Sequence, residues 1–187
     1  MEKRKVILVT DGDSVAMEAV QVAARNIGGR CISASAGNPT LLTGEELVEL
    51  IKQADHDPVV VMVDDRGKKG IGPGEMAMKI IAEDENIDVL GVVAVSSNGK
   101  DCNGLKVDCS ITKDGTVVDG AVDKYGNKLK KDKICGDTLS VLRGMKVPVI
   151  VGMGDPGKMD FNDEIMKGAP ITTKALKEIL KRSGYSR

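Results

Sequence analysis

Four times in this chain a short apolar run ends abruptly in a turn rich in aspartate, serine or glycine. Residues 6–9 (VILV) run into Thr10-Asp11-Gly12-Asp13, and 58–63 (PVVVMV) into Asp64-Asp65-Arg66-Gly67. Residues 88–95 (DVLGVVAV) run into Ser96-Ser97-Asn98, and 147–151 (VPVIV) into Gly152-Met153-Gly154-Asp155. Short runs rich in β-branched residues, without alternation, are expected of strands covered on both faces in a parallel sheet.

Parallel strands need crossovers, and helical spacing follows the turns. After Asp13 the apolar positions Val15, Ala19, Val22, Ala23 and Ile27 predict a helix, ended by Gly28-Gly29 as a left-handed cap. Residues 31–34 (CISA) predict a further short strand. Thr43 and Glu46 have capping-box spacing ahead of Leu47, Leu50, Ile51 and Ala54. Pro73 suits the first turn of another helix. Gly136-Asp137-Thr138 opens a predicted helix through 145, and residues 171–180 a terminal amphipathic one. The pattern predicts a three-layer, Rossmann-like or Toprim-like α/β fold with a mainly parallel sheet of about five strands.

Residues 102–130 break this rhythm. Lys113-Asp114-Gly115 between two β-rich runs is a hairpin signal, so an antiparallel hairpin insertion is expected near 102–130. The 187 residues, 41% hydrophobic, fit one α/β domain over 1–187.

Composition removes several functions. With 27 Lys and Arg against 28 Asp and Glu there is no global basic field, and two Tyr, one Phe and no Trp leave little to stack on bases. No nucleic-acid partner is expected. No apolar run approaches the roughly 18 residues of a membrane span, and VILV after MEKRK is too short for a signal-peptide core, so a soluble protein is expected. Four cysteines and the single histidine, His56, carry no CxxC or zinc spacing. Free thiols at Cys31, Cys102, Cys109 and Cys135 in a reducing compartment are expected.

In open α/β sheets ligands bind beyond the carboxyl ends of the strands. If these strands are neighbours, Asp11, Asp13, Asp64, Asp65 and Asp155 converge, and their mutual repulsion calls for a cation such as Mg²⁺ or Ca²⁺. Arg66, Lys68, Lys69, Asn98, Gly154 and Lys158 are then candidates for binding an anionic ligand. Taken singly, each aspartate reads better as a helix cap or Asx-turn; taken together, the set points to a working edge. Neither GIGPGE nor GMGDPGK is a dinucleotide or Walker motif, and Ser14 lacks both a nucleophile elbow and a plausible histidine. No catalytic residue is assigned, and no cofactor beyond a Mg²⁺ or Ca²⁺ ion.

Over KVILVTDGDSVAMEAVQVAARNIGGRCIS, SAGNPT, PVVVMVDDRGKKGIGPGE, VLGVVAVSSN, VDCSI and VPVIVGMGDPGKM the sequence resembles the stage V sporulation protein AE family of endospore-forming bacteria, in its soluble form. The resemblance implies a non-enzymatic accessory protein, peripheral to the inner membrane of the forespore or spore. Its implied partners are other stage V sporulation A-group proteins, and its implied role is in calcium dipicolinate uptake or its release in germination. Calcium dipicolinate is a chemically sensible guest for the mixed charges of the strand-end edge, and a homo-oligomer stays open. A second resemblance is to the Toprim arrangement, in which a Glu and a D-x-D motif hold Mg²⁺. Here Asp11 stands in for the Glu and Asp64-Asp65-Arg66 replaces D-x-D. That alternative implies a Mg²⁺-dependent enzyme on phosphoester or nucleotide substrates.

Overall fold

The computed structural model of the chain describes residues 2–68, 70–98 and 103–186. In chain order the elements are β1 (Arg4–Val9), α1 (Ser14–Asn26), β2 (Arg30–Cys31), α2 (Gly44–Lys52), β3 (Val59–Met62), α3 (Pro73–Glu83), β4 (Ile87–Val95), β5 (Leu105–Lys106), β6 (Cys109–Ile111), β7 (Val117–Val118), β8 (Lys133–Ile134), β9 (Ile150–Met153) and α4 (Pro170–Ser183). Seven strands form one sheet in the order β2-β3-β1-β4-β9-β6-β7. All neighbours in it are parallel except β6 and β7, which form the expected hairpin. β5 and β8 make a separate antiparallel pair. The sheet therefore exceeds the five strands expected, because β6 joins it parallel to β9.

Period-2 side-chain alternation distributes each buried strand between two helical layers. Val6 and Leu8 of β1 and Val59 and Val61 of β3 pack with Leu47, Val48 and Ile51 of α2 and Ala77, Met78 and Ile81 of α3. Ile7, Val9, Val60 and Met62 point the other way, to Val20, Ala23 and Ala24 of α1 and Leu176 and Ile179 of α4. A strand with both faces buried has no polar position to spare, which explains its unbroken apolar sequence. Each such side chain contributes roughly 1.5–3 kcal/mol of burial.

Local rules set the helix starts. Asp13 caps α1, its Oδ1 accepting the Ala16 N–H at 2.8 Å, and Thr43 with Glu46 forms a full capping box on α2. The α1 stripe differs in detail from the spacing: Ala16, Ala19, Val20, Ala23 and Ala24 are buried, whereas Val15 is half-exposed. Among the described residues, no helix is long and apolar enough to cross a membrane.

Two expectations are corrected. The predicted helix over 137–145 is a single 3₁₀ turn at Val141–Arg143. Thr138 sits at φ 60°, outside helical geometry, and the Glu75 carboxylate takes the Val141 N–H and Ser140 hydroxyl. Free cysteines are found at Cys31 and Cys109, both buried, whereas Cys135 is disulfide-bonded. The expectation of a free thiol at Cys102 lies outside the described residues.

Candidate functional site

The first strand-end turn begins where β1 leaves the sheet. Gly12 fits there because it has no side chain: a Cβ would stand 2.3 Å from the Gly37 carbonyl oxygen and 3.1 Å from the Asp64 Cβ. The close approach lets the Gly12 N–H reach Asp64 Oδ2 at 3.2 Å and Gly12 O accept from Gly37 N at 2.8 Å. The turn thereby holds Asp11 inward and Asp13 at the mouth of α1.

Across β4, the loop after β9 brings Asp155 to the same place. One carboxylate oxygen from each of Asp11, Asp13 and Asp155 lies within 4.8 Å of the other two. Asp11 and Asp155 are buried, and Asp13 is partly so. Asp155 is fixed from two sides: Oδ1 accepts the Gly157 N–H at 2.9 Å, and Oδ2 pairs with Lys158 Nζ at 2.5 Å. Gly154, just before it, packs so closely that a Cβ would meet Gly126 N at 2.6 Å and Met159 Sδ at 2.8 Å. Its role is steric, letting the β9 loop turn under Asp155.

Burial and crowding set the charge of this cluster. Desolvation, then the carboxylates of Asp13 and Asp155, push Asp11 up to about 8. Lys158 is raised, first by its bond to Asp155. Asp11 is thereby biased towards its protonated form, and the Lys158 ammonium stands against Asp155. A divalent cation would replace both the proton and the ammonium. Carboxylate oxygens at this spacing suit a hard ion such as Mg²⁺ or Ca²⁺.

Asp64 and Asp65, adjacent at a strand end, point to opposite faces: Asp64 stays beside the Asp11 turn, where its charge adds to the rise at Asp11, and Asp65 turns away. Both oxygens of Asp64 accept backbone N–H groups, Oδ1 from Arg66 at 2.8 Å and Oδ2 from Gly12. Its own backbone is clamped by Thr40. Asp65 turns to α3, whose N-cap residue Gly72 has no side chain; Asp65 Oδ1 accepts the Gly74 N–H at 2.7 Å and Oδ2 the Glu75 N–H at 3.2 Å. Desolvation raises both Asp64 and Asp65. These two carboxylates hold the β3 turn and the α3 terminus.

The remaining predicted residues are dispersed. Arg66 is exposed at φ 51°, and Lys69 lies outside the described residues. Lys68 and Asn98 line a cavity of about 510 Å³ between the carboxyl ends of β3 and β4, together with Asp65 and the segment around Asp137 and Thr138. Glu75, Asp137, Thr138 and Arg143, all on that cavity, were not among the predicted site residues. Glu75 was hidden in a glycine-rich loop, and residues 137–143 in an apparent helix. His56 is exposed, apart from both places.

The Toprim-like alternative needs Asp11, Asp64 and Asp65 around one ion, and nothing in this arrangement or in the comparisons favours it. No curated protein and no solved structure matches the chain. The family model described as stage V sporulation protein AE1 matches residues 5–183, from the first residues of β1 to the end of α4. The match takes in both strand-end turns of the acidic cluster and the cavity beside them; this chain belongs to the stage V sporulation protein AE1 family.

Proposed function

We propose that this sporulation protein assists the movement of calcium dipicolinate into the developing spore, or out of it in germination. In this reading the Asp11–Asp13–Asp155 cluster meets the calcium ion. The observation that carries it is the cluster itself: three carboxylate oxygens within 4.8 Å, with the Lys158 ammonium alongside, in a member of a sporulation family. Calcium holds its oxygens at about 2.3–2.6 Å, so ligands on opposite sides of one ion stand roughly 4.6–5.2 Å apart. Three protein oxygens leave coordination positions for the carboxylates of the guest. Lys158, displaced from Asp155 by the ion, would pair with a guest carboxylate.

The partners in this reading are other stage V sporulation A-group proteins at the inner membrane. An exposed apolar group supports a protein contact: Phe161 is 73% and Met166 90% exposed, with Ile165 and Val15 beside them, next to the Asp155 loop.

The test is calorimetric titration of the protein with Ca²⁺, Mg²⁺ and calcium dipicolinate, repeated on Asp13→Asn/Asp155→Asn. Loss of at least tenfold in affinity supports the reading. Unchanged binding in the variant, or none in the natural protein, overturns the cluster's role. Spores carrying the variant should hold less dipicolinate; a normal content would remove the link to its transport.

A further inference from the structure

The cavity between the ends of β3 and β4 holds chemistry that the acidic cluster does not use. Its floor is acidic and closed: Asp65 is 3% exposed, Glu75 2% and Thr138 4%. Two floor atoms, Glu75 Oε2 and Thr138 Oγ1, are buried without a hydrogen-bond partner among the described residues. Burying such an atom unpaired costs about 1–3 kcal/mol, more for a charged group, so each marks a place where a donor is wanted. Thr138 Oγ1 stands beside Asp65, close enough to favour the charged carboxylate but without hydrogen-bond geometry.

The other polar groups of the floor are already committed. Glu75 Oε1 accepts from Ser140 Oγ at 2.5 Å and Val141 N at 3.0 Å. Asp65 is held by the α3 N-terminus, and the two oxygens of Asp137 accept the N–H groups of Gly67 and Thr138. The backbone is thus organised around these carboxylates, and Glu75 Oε2 is the carboxylate oxygen left over. Thr138 holds its place at φ 60°, a conformation that side-chain-bearing residues seldom adopt.

The rim carries the opposite charge. Lys68 and Arg143 line the cavity, are exposed, and have no ion pair among the described residues. Asn98 and Asn103, also exposed, add neutral polar groups to the lining. From inside to outside the cavity runs from unpaired acceptor to unpaired cation. Its volume, about 510 Å³, lies within the range of small-molecule sites, and strand carboxyl ends are where such sites form in α/β sheets.

We propose that this cavity binds a small zwitterion of the amino-acid class, its ammonium group on Glu75 Oε2 and Thr138 Oγ1 and its carboxylate on Arg143 and Lys68. The ammonium supplies the donors that the floor lacks. The carboxylate pairs with cations already at the mouth. A ligand with only one of these ends leaves either the buried oxygen or the rim charge unmatched. This site is separate from the acidic cluster, and its test does not depend on calcium binding there.

The experiment is calorimetric titration of the whole chain with each standard L-amino acid singly, without divalent metal. It is followed by the N-acetyl and carboxamide derivatives of the tightest binder. The expected result is at least one saturable binder whose two derivatives each bind about tenfold or more weakly. Arg143→Ala should weaken the parent amino acid about tenfold while leaving its carboxamide unchanged, since that derivative has no carboxylate to lose. Glu75→Gln should weaken both. Arg143 is exposed, so its variant keeps the test open even if Glu75→Gln does not fold. No binding by any amino acid overturns the proposal. So does an N-acetyl derivative that binds as well as its parent, or an Arg143→Ala protein that binds parent and carboxamide as the natural one does.

Discussion

Asp65 Oδ1 accepts the backbone N–H of Gly74 at 2.7 Å, so the last aspartate of the β3 turn closes the N-terminus of a helix nine positions on. Gly72, the N-cap residue, has no side chain with which to cap the helix. Strand end and helix start are fastened directly to each other, with the loop spanning them.

Asp65→Ala leaves the Gly74 and Glu75 N–H groups without their acceptor in a buried place. The expected loss is about 2 kcal/mol of stability, the sum of a missing cap and unpaired donors. Urea denaturation should show the midpoint falling, and Asp65→Asn, which keeps one carbonyl acceptor, should fall less.

Asp11 makes stability depend on pH. Its carboxyl moves from 3.8 to about 8 on folding, so between those values the folded chain binds the proton more tightly than the unfolded one. The contribution is full below about pH 4 and is lost as pH rises to about 8, by at most roughly 1.4 kcal/mol per pH unit. Thermal melts at about pH 5 and pH 8 should show a drop in Tm for the natural protein and a smaller drop for Asp11→Asn.

Lys158 pairs with Asp155 Oδ2 and so competes with any cation for the Asp155 carboxylate. Lys158→Met removes that competitor, and Ca²⁺ alone should bind several-fold more tightly. Calcium dipicolinate should gain less or lose affinity, because the same change removes a partner for its carboxylates. Titrations with the two ligands separate these effects; an equal gain for both would assign Lys158 no part in holding the guest.

Gly12→Ala pushes a methyl group against the Gly37 carbonyl oxygen, which is backbone and has no rotamer to escape into. A loss of about 1–3 kcal/mol is expected from overpacking. The contact between the Gly12 N–H and Asp64 should open with it, read as faster amide exchange at Gly12.

Much of the fold was legible because buried parallel strands leave a plain mark. Residues 58–63 and 88–95 have no polar face to disguise them, and the Thr43–Glu46 capping box announced α2 outright. The 137–145 segment misled because its apolar residues keep helical spacing while Glu75, distant in sequence, captures the Val141 N–H. At the site, the aspartates could be picked out, but not their grouping. Strand order decides that Asp155 meets Asp11 across β4, and strand alternation sends Asp64 and Asp65 to different neighbours. Glu75 and Thr138 gave no local signal, since an unpaired buried oxygen exists only once the chain has closed around it.

The place of β9 also decides when the protein can be finished. It lies between β4 and β6, although it follows both in the chain. During synthesis, a nascent chain that has not reached Ile150 has nothing to insert between those two strands. Its sheet remains divided, with hydrophobic edges open to the wrong partner. Asp155 arrives directly behind that strand, so the acidic cluster is completed by nearly the same event that completes the sheet. A product truncated before Ile150 therefore lacks both the closed sheet and the third carboxylate of the acidic cluster.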